Sequence, residues 1–199
     1  MAKIKNKQQQ LSPENYIRLK ARNLAIHECW INENWKSAGE ASIIVSRIHA
    51  NGHITFGVYL VDLFCLGTKD SFYNFNVDTD KYFELLERLG GDNFEKTTYV
   101  LAHNIIFAAN EYALELGFKP HKIFSDITKY ILEEDTEDIE LIDIECGKNG
   151  KPFYISSEDD SPQRIQQITN QLRKAVGEGE FIVSSDIYNN FYEEDDEPN

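Results

Sequence analysis

Two stretches of the 199-residue sequence carry side chains that could perform acid–base or metal chemistry. The first is RIHANGHITF, residues 47–56, and the second is VDLFCLGTKD, residues 61–70. Carboxylates bind divalent metal ions, and a lysine stabilises the negative charge of a transition state. One interpretation is therefore a metal-dependent hydrolase or nuclease centred on residues 61–70. Its candidate catalytic residues are Asp62, Lys69, Asp70, Arg47 and His49.

The same residues also fit a structural interpretation. Asp and Lys beside a glycine are ordinary turn residues. If residues 54–62 form one straight strand, Asp62 lies about 20 Å from the residue opposite Arg47, at roughly 3.3 Å per residue. Without a bulge or a sharp bend, Asp62 then contacts neither Arg47 nor His49.

Two histidines outside these stretches are candidate metal ligands. His103 is next to Asn104 in a segment with helical periodicity, where it also fits a half-buried, hydrogen-bonded histidine or a residue that assists the hydrolase site. His121 follows the end of that segment, where it can interact with the negative end of the helix dipole. Because the sequence contains neither HExxH nor paired-Cys spacing, it predicts no particular metal or cofactor.

Signatures of several enzyme classes are absent from the sequence. It contains no GxxxxGK[ST], no GxGxxG between a strand and a helix, no GxSxG and no kinase signature set. Nucleotide-dependent motors, Rossmann dehydrogenases and α/β-hydrolases are therefore disfavoured. Cys65 lies between Phe64 and Leu66, and these apolar neighbours favour a buried structural thiol over a nucleophile.

The charge balance bears on the binding partner. The net charge is −14, from 34 acidic and 20 basic residues. This charge disfavours nucleic acid as a partner, because the protein repels phosphate backbones. The acidic runs at 133–140, 158–160 and 193–197 are typical of solvated surface, with a docking tail or imitation of a nucleic acid as alternatives.

Cysteine use and hydropathy predict a cytoplasmic protein. The three cysteines are far apart and show no paired spacing, which is typical of a reducing compartment. No apolar run approaches the ~18 residues of a membrane span, so no membrane association is expected.

The strongest structural signal is a hairpin around Asn51-Gly52, a pair suited to a type I′ turn. With these as the two loop residues, Arg47 lies opposite Phe56 and shares a face with His49 and Asp62. Both faces of the hairpin are largely apolar, which predicts a sheet covered by helices on both sides.

The remaining pattern supplies helices and further strands. A third strand (71–77) is predicted after a turn at 67–70, and a second hairpin joins 139–146 to 151–156 through a turn at 147–150. Residues 28–41 show no sustained period and read as a loop or a short irregular element. Helices are predicted at about 13–26, 79–89, 94–116, from Ser125 onward, and at 162–176, with a last strand at 180–185.

These elements predict a single α+β domain at residues 12–185, between a flexible basic arm (1–11) and an acidic tail (186–199). Its antiparallel sheet comes from two hairpin units and is packed by four to five helices. A ribonuclease-H-like arrangement is an alternative, because a strand meander here precedes helices.

Three blocks of the chain resemble a family of uncharacterised bacterial proteins. The blocks are VYLVDLFCLGTKDSFY, NEYALELGFKPHKIF and GKNGKPFYISSEDDSPQRIQQI, and the resemblance spans about residues 22–183. It implies no activity, cofactor or catalytic residue.

The sequence as a whole favours a cytoplasmic binding or adaptor module whose partner is another protein. The aromatic content, the ends of opposite charge and the lack of a catalytic pattern support this interpretation. The metal-dependent hydrolase or nuclease and the acidic mimic of a nucleic acid are the alternatives.

Overall fold

A five-stranded antiparallel sheet forms the centre of the structure, a computed structural model that describes residues 11–157 and 159–184. The strands are β1 (Ala25–Asn32), β2 (Glu40–Ile48), β3 (Ile54–Asp62), β4 (Gly67–Val77), β5 (Phe94–Thr97), β6 (Phe153–Ile155) and β7 (Ile182–Ser184). The first five form one sheet in the order β4-β3-β2-β1-β5, and β6 pairs with β7 in a parallel sheet. Apart from Leu11, the predicted basic arm lies outside the described residues, as does the acidic tail.

Local capping explains where the main helices begin. Within the described residues the helices are α1 (Pro13–Lys20), α2 (Trp35–Ala38), α3 (Thr79–Leu89), α4 (Tyr99–Glu115), α5 (Lys122–Asp126) and α6 (Pro162–Val176). Ser12 Oγ accepts the N–H of Asn15 at 3.3 Å, and Ser161 Oγ accepts the N–H of Arg164 at 3.2 Å. In both helices a proline follows the cap, where its missing N–H costs no hydrogen bond.

Helices cover both faces of the sheet, as the apolar pattern predicts. On one face α4 packs on alternate residues of β2 and β3, in a core that includes Ile43, Val45, Tyr59, Val61, Ala102, Ile105, Ile106 and Ala109. On the other face α3 covers Ile44, Ile54, Phe56 and Val58 with Tyr82 and Leu86. A smaller cluster joins α6 to the end of α4 and to β6.

The register of the first hairpin differs from the predicted one. Arg47 pairs with Thr55, because the loop has three residues rather than two. The His49 N–H bonds the His53 carbonyl at 2.8 Å, and Gly52 takes a φ of +82°. This is a three-residue loop with a left-handed glycine, not a type I′ turn. The one-residue shift moves Phe56 and Asp62 to the face opposite Arg47.

Strand β1 occupies residues that the sequence pattern assigns partly to a helix and partly to a loop. Its pairing with β2 shifts register between Ile26 and Cys29, as in a β-bulge. Such a bulge breaks the alternation of apolar and polar residues on which strand prediction depends. The first helix correspondingly ends at Lys20 rather than near residue 26.

Two further turns differ from expectation. The turn predicted at 67–70 lies at residues 63–66, so Lys69 and Asp70 belong to β4. The predicted second hairpin forms only its tip, where Lys148 pairs with Lys151 and Asn149 and Gly150 both have positive φ. Residues 139–146 do not enter a sheet, and β6 pairs with β7 instead.

The predicted α+β class is confirmed by the five-stranded antiparallel sheet, the smaller sheet and the surrounding helices. Of the predicted helices, 79–89 and 162–176 match α3 and α6 in their bounds. In the described part of the chain, no helix has the length and apolar composition needed to cross a membrane.

Candidate functional site

Arg47, a candidate catalytic residue, is a buried structural residue of β2. Its side chain is 1% exposed. Nε donates to the Ile131 carbonyl at 2.5 Å, Nη1 donates to the Leu24 carbonyl at 2.6 Å, and Nη2 donates to Glu133 Oε1 at 2.7 Å. The guanidinium therefore joins β2 to the turn before β1 and to the segment after α5.

His49 is held inside an aromatic cluster at the tip of the first hairpin. Its Nε2 lies 2.7 Å from Thr55 Oγ1. Its ring centroid lies 5.6 Å from that of Tyr16 and 5.8 Å from that of Phe75. Burial lowers the pKa of His49, and nearby His53 lowers it further. These contacts favour a structural role for the neutral imidazole.

Asp62 closes the turn between β3 and β4. Its side chain is 8% exposed, and Oδ1 accepts the N–H groups of Phe64 and Cys65 at 2.8 Å and that of Leu66 at 3.3 Å. Burial raises the pKa of Asp62, and the three N–H donors and Lys69 partly offset this effect. The carboxylate is thus occupied by the backbone of its own turn.

Lys69 and Asp70 lie at the start of β4 with other partners. Lys69 forms an ion pair with Glu40. Asp70 Oδ1 accepts the N–H of Ser71 at 2.7 Å and lies 3.5 Å from His121 Nδ1. His121 is thereby placed beside a single carboxylate.

The structure does not gather the candidate catalytic residues into one site. Arg47 faces α4, whereas Asp62 lies on the opposite face of the sheet. In the described ranges, no group of three or more His, Cys, Asp or Glu side chains is placed to hold a metal ion. Cys65 is fully buried, and burial raises the pKa of its thiol.

His103 is buried in α4 without a hydrogen-bond partner among the described residues. Its side chain is 1% exposed, and neither ring nitrogen makes a hydrogen bond. The ring stacks on Phe107, with centroids 4.4 Å apart, and lies 5.6 Å from the ring of Tyr99. Burial lowers the pKa of His103, while nearby Glu133 and Asp135 oppose that shift.

This burial makes His103 a source of acid sensitivity. Because its pKa is lowered in the folded protein, its contribution to stability is fully present above the ordinary value of 6.5 and is lost as the pH falls through the lower value. We expect the fall in the free energy of unfolding between pH 7.5 and 5.5 to be smaller in His103→Phe than in the wild type. Urea denaturation followed by circular dichroism measures the difference.

The exposed His27 provides the matched control. The His27→Phe variant is expected to keep the wild-type difference between the two pH values. An equal effect of both substitutions would contradict the assignment of acid sensitivity to His103.

Residues 139–146, IELIDIEC, are here called the extended segment, and they lie against α4. Asn104 of α4 holds them in place. Its Nδ2 donates to the Glu140 carbonyl at 3.0 Å, and its Oδ1 accepts the Ile142 N–H at 3.0 Å. The amide therefore bonds this backbone as a neighbouring strand would.

The side chains of the extended segment alternate in exposure. Ile142 and Ile144 are half-buried, whereas Leu141, Asp143 and Glu145 are exposed. Leu141 is 88% exposed, the highest value among the large apolar side chains of the described residues. This alternation is that of a strand with one buried face and one solvent face.

Most of the backbone of the extended segment is unpaired. Apart from the two bonds to Asn104, the backbone N–H and C=O groups of residues 140–146 make no hydrogen bond to another described residue. Backbone groups need partners in water or protein. The segment thus offers the hydrogen-bonding groups of an edge strand.

A cleft of about 470 Å³ borders the extended segment. It lies between α2 and residues 142–149. Its apolar lining comes from Trp35, Leu63, Phe64, Leu101, Ile142 and Ile144. Its volume is in the range of ligand pockets, and its lining suits apolar side chains.

The cleft is also lined by the charged residues Lys36, Asp143, Glu145 and Lys148. Lys36 lies over the Trp35 ring at 5.2 Å, and Lys148 lies over the Phe153 ring at 4.5 Å. On the side of the extended segment the charge is negative, because residues 133–145 contain eight acidic residues and no Lys or Arg. Of these, Glu133 and Glu134 pair with arginines, while the remaining six form no ion pair with a described residue.

Two glycines allow the chain to form the walls of the cleft. Gly39 has a φ of +66°, and a Cβ there would lie 2.1 Å from the Phe64 ring. Gly147 has a φ of +78°, and a Cβ there would lie 2.8 Å from the Tyr112 hydroxyl. A side chain at either position would be both strained and in collision.

Sequence reasoning did not single out the cleft or the extended segment as a site. The alternation in IELIDIEC predicts a strand, and its acids read as solvated surface. The sequence signal that could have indicated a site is the apolar Leu141 on the same side of the predicted strand as Asp143 and Glu145. An apolar residue among acids on a solvent-facing side is unusual unless that side contacts a partner. Neither the protein-family models, the curated proteins nor the solved structures include one that the chain matches at a significant level.

Proposed function

We propose that this protein is a protein-binding module that takes up an extended peptide of a partner protein as a strand beside residues 139–146. The observation that carries the proposal is the unpaired backbone of this segment, with side chains of alternating exposure, beside a cleft of mixed apolar and charged lining. In β-strand addition, main-chain hydrogen bonds give affinity and pockets for alternate side chains give specificity. The unpaired main-chain groups of residues 140–146 and the cleft beside them support this mode of binding.

The side chains define the chemistry of the bound peptide. Its outward side chains would lie beside Leu141, Asp143 and Glu145, so basic residues are favoured at those positions. Its inward side chains would meet the cleft lining, whose apolar part favours hydrophobic side chains. The positive charges of Lys36 and Lys148 there are balanced by Asp143 and Glu145 on the same lining. The proposed ligand therefore alternates basic and apolar residues.

The three free cysteines support a cytoplasmic site of action. Cys29 and Cys65 are buried, Cys146 is half-buried, and none forms a disulfide. Free thiols persist in a reducing compartment. We therefore propose that the partner is a cytoplasmic protein with a basic segment.

A synthetic heptapeptide that alternates lysine and valine tests the proposal. Isothermal titration calorimetry with the full chain is expected to show saturable binding that weakens as salt is added, because exposed charge pairs are screened. A peptide of the same composition in two blocks has the same charge but lacks the alternation, and it is expected to bind at least tenfold more weakly. N-methylation of alternate backbone amides is expected to abolish binding of the alternating peptide.

Charge reversal identifies the surface. Asp143→Lys combined with Glu145→Lys is expected to weaken binding at least tenfold. Glu84→Lys combined with Glu87→Lys makes the same charge change on the exposed side of α3, and is expected to leave binding within twofold of the wild type. Equal binding of the block or N-methylated peptide, or an equal loss in both double variants, would overturn strand addition at residues 139–146.

A further inference from the structure

The ligand pattern derived for the cleft also occurs in the chain itself. Residues 3–5 read Lys-Ile-Lys, and residues 1–10 contain Lys3, Lys5 and Lys7 with no acidic residue. An extended stretch with this sequence would place Ile4 on one side and Lys3 and Lys5 on the other. These are the inward apolar and outward basic positions that the cleft and the extended segment favour.

The arm has little length to spare for reaching the cleft of its own molecule around the fold. Glu14, in the first turn of α1, bonds the Tyr73 hydroxyl at 2.6 Å, and Tyr73 pairs with Gly57 of β3. Leu63 of the cleft is six residues beyond Gly57, which is about 20 Å along the strand direction alone at roughly 3.3 Å per residue. The core packing of α4 lies on this face, so a connecting chain must go around it.

Ile4 and Leu11 are seven residue steps apart in the chain. They span at most about 25 Å when fully extended. That length leaves almost nothing for the detour around α4 or for the distance across the sheet. A second molecule meets no such limit.

We propose that residues 1–10 of one molecule bind the extended segment and cleft of a second copy of this chain. This inference rests on the proposed function, since it uses the same surface and the same strand addition. Exchange in both directions closes a dimer, whereas exchange in one direction makes chains of molecules.

Charge complementarity supports this occupant. Two molecules of net charge −14 repel each other, so association needs a local attraction. The three lysines of the arm meet a surface with six acids that form no ion pair with a described residue. The arm would also compete with a partner protein for the cleft.

Sedimentation velocity of the full chain over a hundredfold concentration range tests the inference. The wild type is expected to associate as its concentration rises. Lys3→Glu combined with Lys5→Glu is expected to stay monomeric. Lys122→Glu combined with Lys174→Glu makes the same charge change at exposed sites elsewhere. At the same ionic strength it is expected to associate with an affinity within about tenfold of the wild type.

A synthetic peptide of residues 1–10 provides the second measurement. It is expected to bind the monomeric Lys3→Glu, Lys5→Glu variant and to dissociate the wild-type assembly. If the lysine–valine peptide binds but the wild type stays monomeric or the 1–10 peptide fails to bind, self-association through the arm is wrong and the proposed function stands. If neither peptide binds the monomeric variant, both proposals are wrong.

Discussion

Replacement of Arg47 by methionine is expected to lower the free energy of unfolding by roughly 3–5 kcal/mol. The substitution keeps most of the side-chain volume but removes every donor. The Ile131 and Leu24 carbonyls then lose their charged donor, and Glu133 loses its ion pair. A buried acceptor left without a donor costs about 1–3 kcal/mol. Urea denaturation followed by circular dichroism measures the loss.

Arg22 provides a matched control for this prediction. Its Nε donates to the Leu132 carbonyl at 2.8 Å, and it pairs with Glu134, so its contacts resemble those of Arg47. Its side chain is 29% exposed, however, and that of Glu134 is 72% exposed. Water can replace its bonds, and Arg22→Met is expected to cost at most about 1 kcal/mol. Similar losses in the two variants would show that burial does not set the contribution of Arg47.

The sequence around Arg47 is compatible with a catalytic role as well as with a structural one. An arginine among apolar strand residues is unusual, and its residue type is compatible with either substrate binding or a structural role. The decisive information is the set of carbonyls around it. These carbonyls belong to Leu24 and Ile131, which lie 23 and 84 positions from Arg47 in the chain. No local sequence pattern indicates that the three residues meet.

Elements with strong local signals were predicted well. Helices α3 and α6 match in their bounds because each has a cap, an apolar stripe and a glycine at its end. An Asn-Gly pair favours a type I′ turn, in which both residues have positive φ. Asn149 and Gly150 both have positive φ, whereas at Asn51-Gly52 only the glycine does. There Asn51 Oδ1 accepts the His53 N–H at 3.1 Å, which favours a longer loop.

Features that depend on distant contacts were predicted less well. The sequence pattern predicts a strand at residues 139–146, but these residues do not enter a sheet. The pattern cannot show that a side chain of α4 bonds their backbone where a neighbouring strand was expected. The β-bulge in β1 likewise conceals a strand from any argument based on alternation. The cleft combines residues from four separate parts of the chain, so only the fold reveals it.

Asn104 connects the fold to the proposed binding surface, because it is the residue that holds the extended segment on α4. Asn104→Ala removes the bonds to the Glu140 carbonyl and the Ile142 N–H, the two backbone anchors of the segment. We expect the affinity for the lysine–valine peptide to fall at least tenfold. The free energy of unfolding is expected to fall by about 1–3 kcal/mol, as for other buried groups left without a partner.

Asn110→Ala separates these two effects. Asn110 lies on the same helix, is 4% exposed, and accepts the Thr68 N–H at 2.8 Å, so it holds β4 as Asn104 holds the extended segment. Its replacement is expected to destabilise the fold by a similar amount while peptide affinity stays within twofold of the wild type. If both variants lose binding in proportion to their loss of stability, Asn104 acts only through the fold. If neither loses binding, the peptide does not add to residues 139–146, since a strand can pair only with a backbone that is held in place.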